Sequence, residues 1–324
     1  MLILNETKMK RRVKMKTNKD RLIECLAVQS TTYNTEAMQQ YIEEQLGLIP
    51  GCTFLNDGGN IYAEKGSGIR PCIVAHTDTV HDIVEDLYPL QIGEVFTGLN
   101  RVTYEQTGIG GDDKVGIYIA LELLNRFDNM KAVFFRDEES GCIGSADADM
   151  QFFSDCSFVI QADRKGNSDF VTKATGTWLC SREFVSKIAN HVRAFGYSFC
   201  ETGGLTDVVQ LKENDLNVCC ANLSCGYYRP HTDSEYVNYI DVFNCLDLIC
   251  NIFDTFGADV HPHKHKKRKQ WQHYYDRWNI HELYSTHSNN VKYCKDCSRE
   301  CDRLISGYCH ECHDYYIKMY GIEL

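Results

Sequence analysis

Residues 131–145, KAVFFRDEESGCIGS, join a short apolar run, Ala132 to Phe135, to the acids Asp137, Glu138 and Glu139. The run has the β-type composition of a buried strand, so the acids stand at its carboxyl end. Neighbouring carboxylates raise one another's pKa unless a cation lies between them, and a metal ion is the simplest remedy. Alone, the same letters also describe a solvated acidic turn after an edge strand, so the rest of the chain has to decide.

Candidate oxygen and nitrogen ligands stand at the ends of other apolar runs: His76 and Asp78, Asp112, Asp163, and His231. Side chains gathered outside the carboxyl ends of strands mark the site of an α/β protein. The fold expected is therefore α/β, with a mixed, mostly parallel central sheet flanked by helices. With 324 residues, 43% of them hydrophobic, the chain can bury one large core and carry an appendage. A net charge of −11 argues against a general nucleic-acid binder. There is no signal-peptide pattern and no apolar run long enough for a bilayer. The 17 cysteines include Cys72, Cys219, Cys220, Cys245 and Cys250 inside apolar runs, where a free thiol packs as a small hydrophobe. A reducing, cytoplasmic setting is expected.

The organisation read from composition has four parts: a basic arm over 1–18, a catalytic domain over 19–258, a His/Lys/aromatic-rich linker over 259–290, and a small cysteine module over 291–324. Helical spacing runs from Asp20 to Val28 and from Glu36 to Leu48, with Asn34 and Thr35 as caps. A strand is expected at Asn60–Ala63, after the Gly58-Gly59 turn. The segment from Val84 to Glu105 is poorly patterned, with one plausible strand at Arg101–Tyr104.

In PCIVAHTDTV, Cys72 to Ala75 reads as a buried parallel strand ending at His76, with Asp78 on the same face two residues on. A neutral imidazole binds zinc well, and a carboxylate taking its other ring N–H fixes the tautomer; a core histidine beside a turn aspartate fits the letters equally. In TGIGGDDKVG, glycines allow the tight backbone that brings a loop up to an ion. Asp112 could bridge two ions or merely cap the helix that follows. That helix has Val115, Ile117, Ala120, Leu121 and Leu124 on its buried side, and Lys114 is read as a structural cation. Ser157–Gln161 is a strand leading to Asp163, which alone could be a turn aspartate paired with Arg164. Thr206 or Asp207 looks like a cap for a helix over 208–212. After a strand over 217–223, Pro230 stiffens the approach to His231, the second imidazole, with Asp233 and Glu235 behind it.

Together, HTD, GGDDKVG, DEESGCIG, a strand-end Asp and HTDSE occur in the order that resembles the co-catalytic di-zinc exopeptidases, the peptidase T, carboxypeptidase and aminoacylase-like group, over His76 to Glu235. The resemblance implies that His76, Asp112 and Asp163 hold one zinc and that Asp112, Glu139 and His231 hold the other. It makes Glu138 the general base and Asp78 the orienter of His76. Cobalt or manganese could replace zinc. The 163–231 interval is too short for the inserted lid of the carboxypeptidase branch, which leans the reading towards an aminopeptidase-like, lidless architecture. The implied activity is hydrolysis of a short peptide or an acyl-amino acid, with hydroxide between the metals and Glu138 moving protons.

Beyond Gly257, HPHKHKKRKQWQHYY is basic and aromatic. Cys294-x2-Cys297 and Cys309-x2-Cys312 then have the spacing of a zinc ribbon holding one structural zinc, with Cys301, His310 and His313 nearby. A closed ribbon binds a protein or nucleic-acid partner rather than a substrate. A second class of function is thus a binding or assembly protein that acts through ribbon and linker.

Overall fold

The structure is a computed structural model that describes residues 17–265, together with the short pairing of Lys292–Tyr293 with Glu300–Cys301. The basic arm before Thr17, most of the linker, and Cys294, Cys297, Cys309 and Cys312 lie outside the described residues.

Helix α1 (Asn18–Ala27) starts at Thr17, whose hydroxyl accepts the Asp20 N–H while Asp20 accepts the Thr17 N–H, a reciprocal capping box. Helix α2 (Glu36–Gly47) and the hairpin β1 (Thr53–Asp57) and β2 (Asn60–Lys65) follow, then β3 (Arg70–His76). Three strands come next: β4 (Leu87–Ile92), β5 (Val95–Asn100) and β6 (Glu105–Thr107). Helix α3 (Gly111–Arg126) leads to β7 (Met130–Phe135), the short α4 (Ile143–Ala146) and β8 (Cys156–Arg164). After β9 (Asp169–Val171), β10 (Lys173–Ala174) and β11 (Thr177–Trp178) come α5 (Arg182–Ala194), β12 (Ser198–Cys200) and α6 (Asp207–Glu213). The domain ends with β13 (Cys220–Ser224), β14 (Tyr227–Tyr228), β15 (Tyr236–Asn238) and α7 (Tyr239–Phe256).

The main sheet runs β1-β2-β7-β3-β8-β13-β9-β12. Its centre, β7-β3-β8-β13, is parallel, and β2 and β9 pair antiparallel to either side. Every residue of β3 and β7 is buried, as a strand covered on both faces requires. Alternation then divides the core. Ile73, Ala75, Ala132 and Phe134 join the layer of α1, α2, α3, α5 and α7, whereas Cys72, Val74, Val133 and Phe135 join the layer of α6. A smaller antiparallel sheet, β14-β15-β5-β4 with β6 on β5, stands beside the amino end of α3.

The strand expected at Arg101–Tyr104 is instead the turn between β5 and β6. There the Tyr104 N–H donates to Asn100 O at 2.8 Å and Tyr104 takes a φ of 60°. The apolar side chains suggested a strand, but Val102 and Tyr104 face solvent. At the far end, the chain stays bonded to the sheet past the expected start of the linker. The His261 N–H donates to Ser157 O at 2.9 Å, and the His263 N–H to Asn217 O at 2.9 Å. The cysteines from Cys25 to Cys250 are free and most are buried.

Candidate active site

The carboxyl ends of β3, β7 and β8 meet the start of α3 and the β14–β15 turn, and there the polar side chains collect. Glu138 and Glu139 do not form a solvated turn, since each side chain is 11% exposed. Asp137, at a φ of 52°, points elsewhere: it accepts the Tyr33 N–H at 2.8 Å and pairs with Arg136.

Asp112 stands at the centre. Its Oδ1 lies 3.2 Å from His76 Nε2, and its Oδ2 lies 3.3 Å from His231 Nε2. On the first side Asp163 Oδ1 is 3.7 Å from His76 Nε2, and on the second Glu139 Oε1 is 3.0 Å from His231 Nε2. The donor atoms of His76, Asp112 and Asp163 lie within 4.8 Å of one another, as do those of Asp112, Glu139 and His231. Oxygen and imidazole nitrogen at such spacing suit zinc or a similar divalent cation on each side of one shared carboxylate. Glu138 Oε2 is 4.0 Å from His76 Nε2, beside the first group.

Each arm is held from behind. His76 Nδ1 faces the Asp78 backbone oxygen at 3.0 Å and its Oδ1 at 3.3 Å, which fixes the ring with Nε2 towards the cleft. Asp113, joined to Asp112 by a cis peptide bond, points inward; it accepts the His76 N–H at 3.2 Å and the Gly116 N–H at 3.0 Å. Lys114 is buried and donates to Leu26 O and Ile109 O, a structural tie between α1 and the glycine loop.

The support around Asp163 is one that sequence reasoning missed. Gln161 Nε2 donates to its Oδ2 at 3.0 Å, the Thr206 hydroxyl to the same atom at 3.1 Å, and the Tyr227 hydroxyl to Oδ1 at 3.3 Å. Asn222 exchanges bonds with its backbone N–H and carbonyl. The alternative of a turn aspartate paired with Arg164 does not describe it, because Arg164 turns to Asp169 at 2.8 Å. Gln161 offered a signal, a polar residue in an apolar strand two before the acid. Thr206 stands at the N-cap of α6 as expected, but its side chain makes no cap bond there; Gln161 accepts the Val208 N–H instead. Asp207 lies behind Gln161, bonded to its amide at 3.2 Å and fully buried.

The charges of the cluster are dominated by its acids. Burial pushes Glu138 well above the usual carboxylate range, with Asp163, Asp207 and Glu139 adding to it against His76. Asp163 is pushed up to about 7 by burial and by Asp112. Burial would lower the His76 imidazolium, yet bonds to Asp112, Asp163 and Asp78 hold it well above its ordinary value. Asp112 and Glu139 raise His231 to about 11. Four largely buried acids, Asp112, Glu138, Glu139 and Asp163, stand around two imidazoles, so added positive charge among them is favourable.

The cleft in front has a volume of about 210 Å³ and is walled by Arg164, Lys165, Leu205, Thr206 and Tyr227. Among the described residues no helix is long and apolar enough to cross a membrane.

This architecture is the mixed α/β fold of solved exopeptidases. The chain is similar to a tripeptidase from Staphylococcus aureus, with a TM-score of 0.59 and 15% identity over 74% of this chain and 98% of that one. It is similar to the aminopeptidase PepT from Bacillus cereus, with a TM-score of 0.60 and 13% identity over 73% of this chain and 97% of that one. The TET1 peptidase from Pyrococcus horikoshii, which can assemble into a tetrahedron or an octahedral shell, matches with a TM-score of 0.55 and 13% identity, over 73% of this chain and 99% of that one. No family model and no curated protein matches the chain.

Proposed function

We propose that the chain is a di-metal peptidase of the aminopeptidase or small-peptidase type, acting on short peptides. The observation that carries this reading is the two-sided placement of Asp112, each oxygen facing a different imidazole and each side completed by a second carboxylate. His76, Asp112 and Asp163 would hold one cation, and Asp112, Glu139 and His231 the other. Such a pair, when bound, supplies Lewis acidity towards a carbonyl and lowers the pKa of water.

The protein's own side chains do the rest. Glu138, beside the first group and raised by burial, takes a proton from the attacking water and returns it to the departing amine. Asp78 keeps the His76 ring in the tautomer that faces the cleft, and the bonds around Asp163 keep its carboxylate from turning away. A free-amine peptide is the expected substrate, since the solved structures of this fold include aminopeptidases.

The test is metal content together with a substrate panel. Purified protein should carry about two ions at this cluster, with one more on Cys294, Cys297, Cys309 and Cys312 if these form a structural zinc site. It should hydrolyse unblocked di- and tripeptides, lose that activity to chelator and regain it with zinc, cobalt or manganese. A fully loaded protein inert to free-amine, blocked and acyl-amino-acid substrates would leave binding through the carboxyl-terminal cysteine module as its role.

A further inference from the structure

The glycines of Gly108-Ile109-Gly110-Gly111 do not close on the cleft. They close on a carboxylate behind it. Glu235 is fully buried. Its Oε1 accepts the Asp112 N–H at 3.1 Å; its Oε2 accepts the Gly110 N–H at 2.8 Å and lies 2.6 Å from His81 Nε2. A buried carboxylate is tolerable only when bonded in this way. The loop is shaped to reach it. A Cβ on Gly108 would fall 2.0 Å from His81 Nδ1, and one on Gly111 would fall 2.7 Å from Val237 Cγ2 and 2.8 Å from Tyr227 Cβ. Gly110 has a φ of 67°, in the left-handed region glycine enters freely.

Glu235 also ends the turn that carries His231. Its N–H donates to Thr232 O at 3.0 Å, and the Thr232 hydroxyl donates to Arg229 O at 2.8 Å. His231 itself is 51% exposed at its side chain and sits at a φ of 61°. One buried residue therefore links the two: its side chain holds the backbone of Gly110 and Asp112, and its own N–H closes the end of the His231 turn. The other group has anchors of its own: Asp78 and Asp113 for His76, and Gln161, Thr206, Asn222 and Tyr227 for Asp163.

We infer that Glu235, braced by His81, is a positioning residue for the cation held by Asp112, Glu139 and His231, an inference that rests on the di-metal reading above. Changing Glu235→Gln sets an amide donor against the Gly110 N–H or the Asp112 N–H, which parts the glycine loop from the residue that ends the His231 turn. His81→Gln keeps an N–H for Glu235 and is the milder change.

The test titrates zinc into chelator-stripped, full-length protein by calorimetry and cobalt by its visible spectrum, with the metal-free melting temperature measured in parallel. The parent should show two binding steps at this cluster. Glu235→Gln should weaken one of them by about 10–100-fold, the range usual when the partner of a metal ligand is removed, and the other by clearly less, since that side shares only Asp112 and keeps its own anchors. His81→Gln should weaken the same step by less. In a His231→Asn background the Glu235→Gln effect should vanish, whereas in Asp163→Asn it should persist. Unchanged steps in both variants would overturn the inference alone, as would equal weakening of both steps with a lowered metal-free melting temperature, the mark of a merely structural group. A parent with fewer than two steps at the cluster would overturn the di-metal reading, and the inference with it.

Discussion

Asp78 Oδ1 accepts the backbone N–H of Glu138 at 2.9 Å, so the carboxylate facing His76 also fastens the loop that carries the proposed base. Its Oδ2 accepts the Glu139 N–H at 3.2 Å and the Thr32 hydroxyl at 2.9 Å. An asparagine here would keep one acceptor and turn an amide N–H towards a backbone donor. Asp78→Asn should therefore lower zinc affinity by about 10–100-fold, the usual effect of removing a ligand's partner. Competition with a chromophoric chelator measures this, and an affinity equal to the parent's would refute the coupling of β3 to the acidic loop.

Glu138 reaches the cleft without completing either group built on Asp112. Glu138→Ala should keep its metal content and lose turnover by about two to four orders of magnitude, the usual value of a positioned general base. Metal analysis and single-peptide kinetics on the same preparation separate the two effects. Equal turnover in variant and parent would remove Glu138 from the mechanism.

Asp112 serves both sides, so its loss should not be confined to one. Asp112→Ala should empty both positions and lower the melting temperature of the zinc-treated protein, because ions that bind only the folded state stabilise it. Elemental analysis after dialysis against zinc checks the first part. Two ions retained at the cluster would contradict the shared-carboxylate geometry.

What could be read in the letters was whatever lies in continuous stretches. Cys72 to His76 and Ala132 to Glu139 place strand and acid side by side in sequence, so the parallel centre and the residues at its ends were legible. The small sheet was not. β4 and β5 are half exposed, and β4 contains Pro89, so neither shows the apolar run of a buried strand. Nor could the contact between His81 and Glu235 be read, since 154 positions separate the partners and no local pattern records their meeting. The glycines before Asp112 were visible, but what they approach is a side chain from the other end of the domain. Packing decides that, and periodicity is silent about it.

His263 offers a prediction that does not depend on the cluster. It lies in the segment that follows α7 back along the sheet, half-buried, with its own carbonyl accepting from Lys212 Nζ at 2.9 Å. Burial, the nearby Lys212 ammonium and His265 push its imidazole down to about 4. The unfolded chain, with an ordinary histidine pKa of about 6.5, therefore takes up this proton first as pH falls. The stability this residue contributes is present above about pH 6.5 and is lost as pH falls through about 4. The site's carboxylates also titrate, so the clean observable is a difference. Urea midpoints of parent and His263→Gln, both stripped of metal, should draw apart over this range, with the parent falling relative to the variant as the solution is acidified. The glutamine carries no proton to gain, so a gap that stays constant from pH 7 to pH 4 would mean that His263 is as easily protonated in the folded chain as in the unfolded one.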